Sequence, residues 1–188
     1  MNKYIITFLI LVILIRIIYM LIKGKAYVSK KEFISLLFVL YLIILVYIVT
    51  FKDNNYGTNN FTLFKEIFRY KITSKLFIKN VIGNILLFIP LGIFLSYFIK
   101  ERGIFLIVIV PLLLSGLIEF IQSKIGRCFD VDDIILNFIG GIIGYIIYRF
   151  QIKFSSIFER QIIKDVLYLI TILIIIYLSF KFNFWRLL

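Results

Sequence analysis

The sequence predicts an all-α protein, a polytopic transmembrane helix bundle of about six spans with an interfacial helix between spans two and three. Of its 188 residues, 62% are hydrophobic, and the mean hydropathy is +1.06. A soluble domain is only about 45–50% apolar. The apolar residues gather in runs of about 20, the length of a helix that crosses a bilayer. These observations exclude a soluble enzyme, a disordered chain and a secreted disulfide scaffold.

Six apolar runs predict the spans, and a helix is expected in each because it satisfies its own backbone in lipid. The runs cover residues 4–22, 33–51, 81–99, 104–122, 131–150 and 166–180. The first run is too long for a cleaved signal peptide, and we expect its Arg16 to snorkel toward the near headgroups. The predicted organisation is an N-terminal helix and basic loop (1–32), a core (33–150), and a basic linker with a C-terminal helix (151–188).

The basic residues mostly flank the apolar runs, where they meet lipid headgroups and set topology. We therefore assign the net charge of +12 to membrane insertion, and nucleic acid is not an expected partner. The two sides carry similar numbers of Lys and Arg. Short loops with dense clusters weigh more in the positive-inside rule, and Lys23, Lys25, Lys30 and Lys31 form such clusters. This predicts a multi-pass cell-membrane protein with both termini extracellular.

A longer segment separates the second and third spans. Its residues 53–60 are polar and turn-rich. Beyond them Phe61, Phe64, Phe68 and Ile72 recur at helical spacing with Lys and Arg between them, which predicts a helix over 61–70 that lies in the membrane interface. This helix is either a connector packed on the bundle rim, the reading we favour, or a surface that contacts a lipid substrate.

The counts of reactive residues exclude several kinds of site. There is no histidine, so a Ser-His-Asp triad, a Cys-His pair or a zinc site that uses His cannot be built. The single cysteine, Cys128, cannot form an intrachain disulfide or a Cys-rich metal site. Carboxylate, amide and arginine chemistry is what remains.

Polar side chains gather at the start of the third span, the end of the fourth and the start of the fifth. Alternating spans bring these three ends to one side, and ionisable groups at membrane depth are functional candidates by default. We predict one polar pocket. The catalytic candidates are Glu119, Asp133, Asp130 and Arg127, and the binding candidates are Asn84, Gln122 and Asn137.

Several of these residues also have structural interpretations. Asp130 is expected to cap the fifth span, since carboxylates favour a helix N-terminus, and Asp132 is expected to be solvent-exposed. Glu119 needs a cation or a proton, so an ion pair with Arg127 competes evenly with a catalytic role. Gly140 and Gly144 form a GxxxG pattern that favours close helix packing.

The polar residues and their neighbours resemble the VanZ-like family. The matching elements, in order, are Asn84, Phe88-Ile89-Pro90-Leu91-Gly92, Glu119 with Gln122, Arg127, Asp130 with Asp133, Asn137, and Gly140 with Gly144. The resemblance covers about residues 33–150. It implies a bacterial cell-membrane protein of the kind that lowers susceptibility to teicoplanin, and it implies no particular reaction.

Three functions follow as hypotheses. The first is a protein that lowers susceptibility to teicoplanin-like lipoglycopeptides by acting at the outer surface. The second is an enzyme acting on a lipid-linked or cell-wall-related substrate, in which Glu119 is a general acid or base, or Glu119, Asp130 and Asp133 hold a divalent cation with amide groups completing the shell. The third is a structural or transport protein whose polar cluster is an ion-pair network. The expected partners are membrane lipids and a lipid-linked cell-wall precursor or a lipoglycopeptide; the sequence identifies no cofactor.

Overall fold

The computed structural model describes residues 14–15, 18–19, 30–51, 59–99, 103–157 and 161–184. Over these ranges the chain is helical apart from turns and one isolated bridge, and no strand forms. The predicted all-α class is confirmed. The chain divides into two compact units, Met1–Ile44 and Leu45–Leu188, and all of the predicted site residues belong to the second.

The described ranges contain six helices outside the N-terminal stretch. They are α1 (Lys30–Phe51), α2 (Lys65–Arg69), α3 (Lys75–Ile99), α4 (Ile104–Lys124), α5 (Val131–Ser155) and α6 (Gln161–Phe184). By length and composition, four of them (α1, α3, α4 and α5) are able to cross a membrane.

Two of the six predicted spans are not among those four. Most of the first, residues 4–22 with Arg16, lies outside the described residues. The sixth, residues 166–180, lies within α6, which is helical over a longer range than expected. Six spans therefore stay a prediction.

Helix α3 begins at Lys75, earlier than the predicted residue 81. The side chain of Ser74 accepts a hydrogen bond from the N–H of Phe77 at 3.1 Å, and such a cap satisfies one of the free donors of a helix start. A single π-helical stretch, Ile78–Ile82, follows before regular α-helix resumes. The polar residues before 81 are thus part of the helix because the cap precedes them.

The backbones of α3 and α5 touch each other through glycine. A Cβ atom added at Gly140 would overlap the carbonyl oxygen of Ile85, and one at Gly144 would overlap that of Ile89. From the other side, a Cβ at Gly92 would overlap the carbonyl oxygen of Gly141. The close helix packing predicted from the GxxxG spacing of Gly140 and Gly144 is therefore present, since only a hydrogen side chain permits this approach.

Helix α6 packs on α3 and α5 through aromatic and polar contacts. The ring of Tyr168 stacks on Tyr97 with centroids 5.0 Å apart, and it meets Tyr148 edge-on at 6.0 Å. The amide nitrogen of Gln151 donates to the hydroxyl of Thr171 at 3.2 Å. These contacts hold α6 against α3 and α5 within the second unit.

Residues 61–70 contain less helix than predicted. Of these ten residues only Lys65–Arg69 are helical, because Phe64, the residue before them, adopts a left-handed conformation with φ of 64°. Phe61 and Phe64 precede this helix and Ile72 follows it, so the apolar side chains do not share one helix face. They are nevertheless all exposed.

The glycine contact leads to a stability prediction. We expect Gly140→Ala to lower the apparent melting temperature of the detergent-solubilised protein, because overpacking of this kind costs about 1–3 kcal/mol. Thermal unfolding followed by circular dichroism measures it.

Gly116→Ala is the matched control, since Gly116 also lies within a helix and a Cβ there has nothing within 4 Å. Alanine favours helix over glycine by up to about 1 kcal/mol, so this variant should melt at or above the wild-type temperature. Equal melting temperatures for the two variants would contradict the packing described for α3 and α5.

Candidate functional site

The end of α4 and the starts of α3 and α5 come together, as their alternation predicts. The carboxylate of Glu119, on α4, accepts a hydrogen bond from the backbone N–H of Asp130 at 3.0 Å. The side-chain amide of Asn84, on α3, donates to the carboxylate of Asp133 on α5. We call Glu119, Asp130, Asp132 and Asp133 the acidic cluster.

Asp130 is the N-cap of α5, which confirms that prediction. One of its carboxylate oxygens accepts from the backbone N–H of Asp132 at 2.9 Å and from the side-chain amide of Asn60 at 2.9 Å. The backbone of Asn60 in turn bridges Phe129 and Val131, with N–H to carbonyl distances of 2.8 and 3.1 Å. Asn60 is buried, so this bridge closes the start of α5 against the chain that follows α1.

The prediction that Asp132 is solvent-exposed is wrong. Its side chain is only 1% exposed. The carboxylate accepts from the backbone N–H of Phe64 at 2.5 Å and from that of Ile67 at 3.4 Å. These donors belong to the start of α2, where free N–H groups favour a negative charge. Asp132 therefore fixes the segment that contains α2.

Glu119 is buried, with 1% of its surface exposed, as expected of a carboxylate within an apolar helix. The structural alternative to a catalytic role is an ion pair between Glu119 and Arg127. Instead, the Arg127 guanidinium donates through Nη1 to the carbonyl oxygen of Val49 at 2.5 Å. Arg127 still lies close enough to act electrostatically on Glu119 and Asp133, but the hydrogen-bonded partner of Glu119 is a backbone amide.

Gln122 joins Arg127 rather than the acidic cluster. Its side-chain amide donates to the same Val49 carbonyl at 2.9 Å, and its backbone carbonyl accepts from the Arg127 N–H at 3.0 Å. A carbonyl in the last turn of a helix has no partner within that helix. The two side chains supply the missing donors at the end of α1.

Asn137 lies one turn beyond Asp133 on α5 and makes a separate buried contact. Its amide nitrogen donates to the hydroxyl of Ser115 at 2.8 Å, and Ser115 lies one turn before Glu119 on α4. Ser115 is not among the residues predicted from the sequence, although its four-residue spacing from Glu119 places the two on one helix face. Among the described residues, the side-chain oxygen of Asn137 is buried and has no hydrogen-bond donor.

The charges of the cluster are met mainly by N–H groups. Glu119 and Asp133 lie close enough that charges on both would repel each other. Within the described part of the chain, no three or more acidic or thiol side chains lie together in a way that could hold a metal ion. The predicted cation site of Glu119, Asp130 and Asp133 is therefore not formed by these side chains. What the arrangement offers is a buried Glu119 and a half-buried Asp133, with amide and hydroxyl groups one turn deeper.

Comparisons with known proteins cover this whole region. A sequence model of the VanZ/LLP1 family matches residues 38–154. Protein VanZ from Enterococcus faecium is 27% identical over 149 residues, which cover 77% of this chain and 90% of that protein. No solved structure matches the chain significantly. The matched range includes all of the predicted site residues.

The hydrogen bonds of Asp132 predict a change in local stability. In Asp132→Ala, the amides of Phe64 and Ile67 lose their acceptor, and we expect peptides covering residues 61–70 to exchange hydrogen faster than in the wild type. Hydrogen–deuterium exchange with mass spectrometry on the detergent-solubilised protein measures this rate.

Asp165→Ala is the control, because it removes a carboxylate from α6 rather than from the acidic cluster. It should leave exchange in residues 61–70 unchanged. A wild-type exchange rate for these residues in Asp132→Ala would show that the carboxylate does not fix the segment.

Proposed function

The chain belongs to the VanZ/LLP1 family, and from that premise we propose that it lowers the susceptibility of a bacterium to teicoplanin-like lipoglycopeptides. The family match over residues 38–154 carries the proposal, and the similarity to Protein VanZ supports it. The matched range contains the acidic cluster together with Asn84, Arg127 and Asn137, so these residues are our candidates for the working site.

The proposal includes a membrane arrangement. The protein is a multi-pass protein of the cell membrane with six spans, both termini extracellular, and residues 61–70 in the interface. The acidic cluster then faces the outer surface, where a lipoglycopeptide arrives. Four helices that are long and apolar enough to span support this arrangement, as does the run of exposed apolar side chains before α3.

In this proposal the cluster acts by binding a molecule at the outer surface. Glu119 and Asp132 are each 1% exposed, and a buried carboxylate is stable only with donors or a cation close by. The described residues supply backbone and amide donors, with Arg127 as the nearby cation. A ligand that brings further donors or positive charge would be held at this end of the bundle.

A second candidate function is a membrane enzyme that transfers protons on a lipid-linked or cell-wall-related substrate. Two observations favour it: Glu119 and Asp133 approach each other from α4 and α5 closely enough to interact electrostatically, and the side-chain oxygen of Asn137, one turn deeper, is buried without a donor. Neighbouring carboxylates in different surroundings are suited to act as acid and base. Purified protein incubated with a lipid-linked cell-wall precursor should then convert it to a product that chromatography separates from the precursor, and Glu119→Gln should not.

Antibiotic susceptibility tests the main proposal. Expressed in a teicoplanin-sensitive bacterium, the wild-type protein should raise the minimal inhibitory concentration of teicoplanin several-fold. Glu119→Gln and Asp133→Asn should return it to the level of the empty vector, because each replaces a carboxyl group of the cluster with an amide. Teicoplanin and vancomycin are measured side by side.

Gly116→Ala is the control that should keep the effect, and immunoblots of membranes establish that all variants are present in equal amounts. A wild-type protein that changes neither antibiotic's inhibitory concentration would contradict the proposal. Loss of the protein itself in Glu119→Gln and Asp133→Asn would favour the structural interpretation of the cluster.

The orientation has its own test. In a Cys128→Ser background, a cysteine at Ile125, an exposed position after α4, should react with a membrane-impermeant maleimide in intact cells. A cysteine at Ser156, in the turn after α5, should react only after permeabilisation. The reverse pattern would place the acidic cluster on the cytoplasmic side.

A further inference from the structure

The segment before α3 exposes an unusual amount of apolar surface. The side chain of Phe68 is 82% exposed, that of Ile72 76% and that of Phe61 71%. These are among the highest exposures of large apolar residues in the described chain. Residues 61–79, which we call the apolar-basic segment, also contain five basic residues, Lys65, Arg69, Lys71, Lys75 and Lys79, against one acidic residue, Glu66.

The backbone of this segment is held in place at several points. Asp132 accepts from the N–H groups of Phe64 and Ile67. The N–H of Ser74 donates to the carbonyl of Lys71 at 2.8 Å, and the Ser74 hydroxyl caps α3. The exposed side chains are therefore presented by a fixed scaffold, and their exposure is a property of the fold.

The attachment points set the depth of the segment. Its last five residues, 75–79, form the start of α3, a candidate span, and Asp132 ties the segment to the first turn of α5, a candidate span that begins at Val131. The start of a span lies where hydrocarbon gives way to headgroups. A segment fixed between two such starts lies at headgroup depth.

The composition of the segment identifies its partner. Phe and Leu side chains bury in the boundary between headgroups and acyl chains, and Lys and Arg between them attract anionic headgroups. Lys65, Lys71 and Lys75 are exposed among the apolar residues. We propose that the apolar-basic segment docks on the anionic phospholipids of the leaflet beside it, with its apolar side chains among the acyl chains and its basic side chains at the phosphates.

This inference deepens the proposed interfacial position of residues 61–70 by adding a lipid preference. It does not depend on antibiotic resistance. A protein that leaves susceptibility unchanged can still dock in this way, and a protein that confers resistance can fail to do so, so the two failures are distinguishable.

Spin labels in nanodiscs test the proposal. Full-length protein in the Cys128→Ser background carries a nitroxide at Phe68→Cys or Ile72→Cys, in nanodiscs of phosphatidylcholine alone or mixed equally with phosphatidylglycerol. Power saturation then compares collision with oxygen, which concentrates in acyl chains, against collision with an aqueous nickel chelate. With phosphatidylglycerol, both labels should gain oxygen contact and lose nickel contact relative to phosphatidylcholine.

Two comparisons make the test specific. A label at Leu113→Cys, an apolar side chain that is 65% exposed in the middle of α4 and has no basic residue near it in sequence, should not respond to phosphatidylglycerol. Lys71→Glu combined with Lys75→Glu should abolish the difference between the two lipid compositions at position 68. Both lysines are exposed, so the double variant should fold.

Three results would overturn the proposal. Labels at 68 and 72 that stay open to nickel in both bilayers would place the segment in water. Equal burial in both bilayers would show that charge does not select the lipid. Shielding from both reagents in both bilayers would mean that protein, not lipid, covers the surface.

Discussion

The backbone contact between α3 and α5 is the constraint on which the rest of the second unit depends. Gly140 lies against the carbonyl of Ile85, and the residue before Ile85 is Asn84. Asp133 lies two helical turns before Gly140. With the two helices this close, Asn84 reaches Asp133 directly. A larger side chain at Gly140 would separate the helices and break this contact before it affected any charged residue itself.

Each carboxylate of the acidic cluster holds a different part of the chain. Glu119 joins the end of α4 to the start of α5, and Asp133 joins α5 to α3. Asp130 holds Asn60, and Asp132 holds the start of α2. The carboxylates that are candidates for binding a ligand therefore also hold the helices together at this end of the bundle. This is why protein abundance must be measured alongside activity in any variant of the cluster.

Much of this arrangement could be predicted from the sequence, because hydropathy and alternation act over neighbouring residues. The convergence of Glu119 with Asp130, the cap at Asp130 and the close packing at Gly140 all follow from local spacing. Asp132 could not be assigned because its donor Phe64 is 68 positions away. The acceptor of Arg127 is a backbone carbonyl, which no residue type marks. The helix predicted over residues 61–70 is longer than the helix that forms, Lys65–Arg69, because helical spacing of apolar residues does not reveal that Phe64 is left-handed.

The left-handed conformation of Phe64 has a thermodynamic consequence. A residue with a Cβ atom costs about 1–2 kcal/mol in this region relative to right-handed geometry, and glycine would remove most of that cost. The hydrogen bond from Phe64 to Asp132 is one of the interactions that offset it. The two positions are thus energetically coupled, and substitutions at both should not have additive effects.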